Sequence, residues 1–148
     1  MRKLMQASLI ALILAAPAAM AQNTSPAGTW KTIDDETGKP KSLVRITEEN
    51  GVLTGKIEKL FRPADQDQNP KCTACEGARK DQPIIGMTIL SGLKKDGNEY
   101  TGGEILDPSK GKTYKSKAAL KDNGSKLEVR GYIGAPMFGR SQTWVREQ

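Results

Sequence analysis

The chain contains no histidine, and this absence excludes several kinds of chemistry at once. Serine and cysteine hydrolases of the triad type use a histidine as general base, so catalysis of that type is excluded. Histidine is also the commonest protein ligand of transition metals, and two cysteines are too few for a zinc site on their own. No other catalytic set of residues stands out. We therefore expect no metal, no cofactor and no enzymatic activity.

Long apolar stretches are also scarce, and the one that is present lies at the start. Residues 4–16 are apolar except for Gln6 and Ser8, which makes the stretch too short to cross a bilayer. Arg2 and Lys3 precede it, Pro17 ends it, and the small-x-small run 19–21 is typical of a cleavage site. Residues 1–21 are thus interpreted as a cleaved signal peptide, which predicts a periplasmic or secreted protein.

The remaining 127 residues, 22–148, are enough for one domain. After loss of two basic residues with the signal peptide, 21 basic and 17 acidic residues remain, a net charge of +4. Lysines are spread along the chain and do not form one basic arm, which is typical of a solvated surface. We expect no nucleic-acid partner and no membrane-spanning segment after cleavage.

Turn signals divide this part of the chain into short segments. Residues 22–27 are interpreted as a flexible start and residues 28–148 as a single domain. Asn-Gly and Asp-Gly pairs, which favour tight hairpins, alternate with runs rich in Val, Ile, Thr and aromatic residues. The pattern predicts strands near 28–33, 41–48, 52–60, 99–106, 112–120, 125–133 and 139–146, with 84–93 as either an eighth strand or a short helix.

Alternation of apolar and polar residues indicates how these strands pack. One face of each strand is apolar and the other is rich in lysine, which favours an antiparallel meander closed around a core. A membrane barrel would instead need an apolar outer face with aromatic girdles. We therefore predict an all-β fold, a soluble antiparallel up-and-down barrel of about eight strands. Two apolar faces carry the pattern: Tyr114, Ser116, Ala118 and Leu120 in one strand, and Leu127, Val129, Gly131 and Ile133 in the next.

The motif Gly28-Thr29-Trp30 opens the first predicted strand, and Trp144-Val145-Arg146 closes the last. In calycin-type barrels a tryptophan at this position packs at the closed end, with an arginine from the last strand lying across its ring. A guanidinium stacks well on indole and can also bond free backbone carbonyls. The sequence predicts that Trp30 pairs with Arg146, and less favourably with Arg140.

The pair Cys72-x-x-Cys75 lies in the least regular part of the chain, between Phe61 and Pro83. A redox motif would need a helix in a βαβ setting, and a zinc site would need more ligands. A local disulfide that shapes a long loop needs only an oxidising compartment, which makes it the favoured interpretation of the three.

Several motifs together resemble an exported bacterial family known only as a domain of unknown function, number 2147. The resemblance covers the mature chain and implies a lipocalin-like barrel in the periplasm or outside the cell, but no catalytic residue and no ligand. It rests on these motifs: Gly28-x-Trp30, Cys72-x-x-Cys75, Pro83-Ile84-Ile85-Gly86, Gly102-Gly103-Glu104-Ile105-x-Asp107-Pro108, Gly111-Lys112-Thr113-Tyr114, Arg130-Gly131-Tyr132-Ile133-Gly134 and Phe138-Gly139-Arg140-x-Gln142-x-Trp144-x-Arg146.

Three functions are compatible with such a barrel. The favoured one is binding of a small apolar or amphipathic molecule, because an eight-stranded barrel can hold one ligand. Small residues on the inner face (Ser116, Ala118 and Gly131) would leave space, and Tyr114 would offer a polar group. The alternatives are a ligand-free module that binds an envelope protein, and a thiol–disulfide redox protein that uses Cys72 and Cys75.

Overall fold

The computed structural model describes residues 24–147. The predicted signal peptide, residues 1–21, and the first two residues of the predicted flexible start lie outside this range. Among the described residues, no helix is both long and apolar enough to cross a membrane.

Eight antiparallel strands account for most of residues 24–147. Each strand pairs with the next one along the chain, and the first pairs with the last, so that the sheet closes into a barrel. The predicted all-β, up-and-down barrel of about eight strands is thereby confirmed. The strands are β1 (Gly28–Ile33), β2 (Pro40–Glu49), β3 (Val52–Leu60), β4 (Thr88–Asp96), β5 (Glu99–Asp107), β6 (Lys112–Lys121), β7 (Lys126–Tyr132) and β8 (Gly139–Arg146).

The ambiguous segment 84–93 contains the start of a strand, β4, which begins at Thr88 and not at residue 84. A helix would need negative φ angles throughout, but Gly86 and Gly92 have φ angles of 91° and 74°. Helical structure within residues 24–147 is restricted to two single 3₁₀ turns, Gly77–Arg79 and Asp122–Gly124.

The core fills the barrel interior along its length. Ser116, Ala118, Leu127 and Val129 are buried on adjacent strands, as the alternation indicates. Ile133 differs, because β7 ends at Tyr132 and the side chain of Ile133 is exposed. The main apolar members of the core are Trp30, Val44, Ile46, Leu53, Ile57, Leu90, Leu93, Leu127, Val129 and Trp144.

An up-and-down barrel has two ends, and the connections are distributed unequally between them. The β2–β3, β4–β5 and β6–β7 turns are short and lie beside the residues that precede β1; this end is called the closed end. The other four connections form what is called the loop end. They are residues 34–39, 61–87, 108–111 and 133–138.

Candidate functional site

Arg146 and Trp30 lie against each other at the closed end. The guanidinium carbon of Arg146 is 4.3 Å from the centroid of the Trp30 ring. The same guanidinium donates hydrogen bonds to the backbone carbonyls of Gly124 at 2.7 Å, Ala27 at 2.9 Å and Ser25 at 2.7 Å. Desolvation lowers the pKa of Arg146 from its usual value, as expected for a cation held against an indole.

Trp30 is fully buried, and its indole N–H donates to the carbonyl of Pro26 at 2.8 Å. The last part of the predicted flexible start, residues 25–27, is thus held by hydrogen bonds to Trp30 and Arg146. Arg140, the less favoured partner in the sequence, lies at the loop end instead, where it forms an ion pair with Asp35. At the closed end, the indole N–H of Trp30 and the guanidinium of Arg146 are thus hydrogen-bonded to backbone carbonyls of the protein itself.

The long loop 61–87 covers part of the loop end. Cys72 and Cys75 form a disulfide, and their side chains are only 1% and 2% exposed. The Cys72 sulfur lies 3.4 Å from the carbonyl oxygen of Pro108 in the β5–β6 turn. Gly111 in the same turn approaches so closely that a Cβ there would overlap the carbonyl of Ala74. The disulfide thus shapes the loop into a cover that packs on the neighbouring turn.

The small residues of the inner face do not line an open space at the positions the sequence suggested. A Cβ on Gly131 would lie 3.3 Å from Cγ2 of Ile105 and 3.6 Å from Cβ of Tyr114, so that these side chains occupy the space. Gly103, which pairs with Ser116, leaves room for Leu93 in the same way. A small residue on one strand therefore does not imply an empty space, because a larger side chain on the neighbouring strand can occupy it.

Ser116 nevertheless has one feature that the sequence could not indicate. Its side chain is fully buried, and its hydroxyl has no hydrogen-bond partner within residues 24–147. Its neighbours across the sheet are Gly103 on β5 and Gly131 on β7, neither of which carries a side chain that could bond the hydroxyl. A buried hydroxyl of this kind is unfavourable unless water or another polar group reaches it.

A groove of about 460 Å³ lies at the loop end, between the disulfide loop and the start of β6. Its lining combines apolar side chains with two cations, Arg79 and Lys112, and the carboxylate of Glu76. Tyr114 is the member of the predicted ligand set that lines this groove, whereas Ser116, Ala118 and Gly131 do not. The lining residues are Cys75, Glu76, Arg79, Leu106, Gly111, Lys112, Thr113, Tyr114 and Ile133.

A second groove of about 360 Å³ lies on the other side of Arg79, along residues 82–88. It contains fewer converging polar side chains than the first groove. Arg79 therefore lies between two concave surfaces, and its guanidinium is 3.5 Å from the hydroxyl of Thr113. Neither cation of the larger groove was predicted from the sequence, because loop and strand residues far apart in the chain meet only through the path of loop 61–87.

The β7–β8 connection, residues 133–138, projects at the same end. Its side chains of Ile133, Met137 and Phe138 are 66%, 76% and 68% exposed. Exposed apolar residues in a cluster are uncommon on a monomeric protein and mark an interaction surface more often than scattered ones do. Within residues 24–147, no group of three histidine, cysteine or carboxylate side chains is arranged to hold a metal ion.

Comparisons with known proteins agree with this architecture. A family model described as an uncharacterized protein conserved in bacteria, DUF2147, matches residues 28–146. Among solved structures, the chain is similar to HP1028 from the human pathogen Helicobacter pylori, which is described as belonging to the lipocalin family. The TM-score is 0.70 at 24% identity, and the match covers 84% of each chain. No curated protein matches the chain in sequence.

Proposed function

Because the chain belongs to the DUF2147 family of bacterial proteins and folds as a lipocalin-like barrel, we propose that it binds a small amphipathic anion at the loop end. We assign the protein a binding role and no catalysed reaction. Barrels of eight strands are wide enough either to be filled by side chains or to hold one ligand. Here the side chains fill the positions beside Gly103 and Gly131, and the open space lies outside the core, under the disulfide loop.

The groove beside Lys112 carries the proposal. Its volume of about 460 Å³ lies within the range of about 300–1,000 Å³ that is usual for small-molecule sites. Leu106 and Ile133 offer apolar surface for a hydrocarbon part, while Arg79 and Lys112 offer cations for an acidic group. The phenol of Tyr114 adds a hydrogen-bonding group between them.

The charges of the groove favour an anion over a neutral ligand. Lys112 forms no ion pair within residues 24–147, and Arg79 contacts a hydroxyl and no carboxylate. Glu76 is the single carboxylate among the lining residues, so that the groove carries a net positive charge. A carboxylate, sulfonate or phosphate with an apolar tail fits this combination.

Titration with a dansyl-labelled undecanoate, followed by its fluorescence, tests the proposal. We expect saturable binding, and we expect Lys112→Glu to weaken it by about tenfold because the variant places a second carboxylate in the groove. Lys115→Glu is the matched control, since Lys115 lies on the same strand, is exposed and does not line the groove. Equal weakening by both variants, or no saturable binding by the parent, would contradict the proposal.

We further propose that the protein works in the periplasm or is secreted. The Cys72–Cys75 disulfide supports this location, because such bonds persist in oxidising compartments. The test is to fractionate the native host and to determine the N-terminus of the protein by mass spectrometry. An N-terminus at Gln22 in the envelope or culture medium is expected, and an uncleaved chain in the cytoplasm would contradict the location.

The burial of both sulfurs favours a structural disulfide over a redox function. A thiol that attacks a disulfide must reach one sulfur in line with the bond, and both cysteines are nearly inaccessible here. We therefore favour the binding function over the redox alternative. Reduction of Cys72–Cys75 by a thioredoxin-type dithiol is expected to be slow.

A further inference from the structure

The three exposed apolar side chains of the β7–β8 connection are called the apolar tip: Ile133, Met137 and Phe138. They lie between Tyr132, the last residue of β7, and Gly139, the first residue of β8, where the chain reverses direction. Each of the three side chains is at least 66% exposed. Three large apolar side chains exposed on one connection indicate an interaction surface.

Arg130 holds this connection in one shape. Its guanidinium donates to the carbonyl of Pro136 at 2.6 Å and to the carbonyl of Gly139 at 3.2 Å, and also to the hydroxyl of Ser141 at 3.0 Å. Backbone hydrogen bonds inside the connection add to this, from Phe138 to Ala135 and from Ile133 to Phe138. The apolar tip is therefore presented by a defined hairpin and not by a loose loop.

Two cations that form no ion pair in the described part of the chain line the groove beside Ile133, the first residue of the tip, together with the carboxylate of Glu76. Ile133 shares the loop-end groove with Arg79 and Lys112, and Lys110 lies in the neighbouring β5–β6 turn. None of these three cations forms an ion pair within residues 24–147. Arg140, which follows the tip, is neutralised by Asp35. Apolar side chains next to free cations are the combination that binds an anionic lipid surface.

From this arrangement we propose that the apolar tip docks the barrel on a membrane surface that carries anionic headgroups. The tip would insert its apolar side chains at the level of the headgroups, while Arg79, Lys110 and Lys112 contact lipid phosphates. The area argues against a second copy of the chain: an aromatic side chain buries about 150–250 Å², and only Phe138 is aromatic, so the three side chains together bury less than about 750 Å². Specific protein interfaces need about 800 Å² from each partner.

Binding to vesicles tests the proposal through Met137 and Phe138, which do not line the small-molecule groove. The protein is taken after export and processing, because residues 4–16 would bind lipid on their own. Vesicles of equal parts phosphatidylglycerol and phosphatidylcholine are compared with vesicles of phosphatidylcholine alone by co-sedimentation. We expect binding to the anionic vesicles that weakens as salt is raised above about 0.15 M, because salt screens the cations.

Two variants locate the binding surface. A double substitution, Met137→Ser with Phe138→Ser, is expected to weaken vesicle binding by about tenfold or more, since it removes most of the apolar tip. Val145→Ser is the matched control, an apolar-to-polar change at a partly exposed position on β8 near the closed end. Phe138→Trp supplies a reporter, because both native tryptophans are buried and a blue shift would come from the new indole.

Three results would overturn the proposal. One is the absence of binding to phosphatidylglycerol vesicles. Another is binding that the double substitution leaves unchanged, or that produces no blue shift in Phe138→Trp. The third is a dimer in sedimentation velocity that dissociates in the double variant, because the tip would then be an interface between copies.

Discussion

The two ends of the barrel are covered in different ways. At the closed end, a single guanidinium covers the Trp30 ring and bonds three backbone carbonyls, so that Arg146 satisfies the polar groups of the chain start and of the β6–β7 turn. At the loop end, backbone and a disulfide provide the cover, and they leave a groove, free cations and exposed apolar side chains.

From this difference we expect the closed end to contribute mainly to stability and the loop end mainly to binding. Trp30 and Arg146 at the closed end are held by several hydrogen bonds, and Trp30 is fully buried, so a substitution of either residue is expected to affect folding. Lys112, Met137 and Phe138 at the loop end are exposed, so substitutions of these residues are expected to affect binding and leave the fold intact. The following predictions test this division, starting with the largest expected effect.

Trp30→Ala should lower the free energy of unfolding by about 3–5 kcal/mol, because it removes a fully buried aromatic side chain and the surface on which Arg146 lies. Phe138→Ala is the matched change at the loop end and should stay within about 0.5 kcal/mol of the parent. Denaturant unfolding measures both. Similar losses for the two variants would break the division between the ends.

Ala118→Phe should cost about 1–3 kcal/mol, because neighbouring side chains already fill the interior around β6 and a larger side chain would overpack it. Ala119→Phe, on the opposite face of the same strand, should have little effect on stability. Thermal unfolding of the two variants gives the comparison. Equal or higher stability for Ala118→Phe would mean that the interior contains an empty space, and would place the ligand there.

Reduction of the Cys72–Cys75 disulfide should lower the free energy of unfolding by about 1–2 kcal/mol, since the bond closes a very short ring. The folded barrel should remain, and affinity for the dansyl-labelled undecanoate should fall because the cover over the groove loosens. Thiol counting before and after reduction accompanies the measurement, with no free thiol expected beforehand. Loss of the fold on reduction would show that the loop end carries more stability than this account assigns to it.

The smallest effect concerns pH. Burial raises the pKa of Tyr100 above its ordinary value of 10.0, and the charge of Glu48 adds to the increase. Since the folded protein holds this proton more tightly than the unfolded chain, the associated stability is complete below about pH 10 and is lost as pH rises further. Phenolate absorbance measures the titration, and Glu48→Gln should shift it part of the way back. A Tyr100 that titrates at or below 10.0 would contradict its burial.

The strands were predicted well because turn pairs and the alternation of apolar and polar residues depend on residues that are close together in the sequence. Turn pairs such as Asn50-Gly51 and Asp96-Gly97 set the ends of four strands, and alternation placed Ser116 and Ala118 inside. The alternation failed at Ile133, where it was extended one residue past the end of β7. Position in the periodic pattern does not show where hydrogen bonding to the neighbouring strand stops.

The candidate site could not be predicted in the same way. Arg79, Leu106 and Lys112 meet only because loop 61–87 folds back over the β5–β6 turn, and nothing in the local sequence encodes that path. The sequence contained the opposite indication, since small residues near Ser116 suggested space that Leu93 and Ile105 occupy. Tyr114, which was expected to offer a polar group to a ligand inside the barrel, lines the groove at the barrel end.

A ligand is expected to bind at the loop end and to leave the closed end unchanged. Mapping amide chemical shifts by NMR during titration with the dansyl-labelled undecanoate tests this expectation directly. We predict that shifts concentrate at residues 75–79, 111–114 and 133, and that the indole signal of Trp30 and the amide of Arg146 stay constant. Shifts centred on Ser116, Ala118 or Trp30 would contradict the claim, because they would place the ligand inside the barrel.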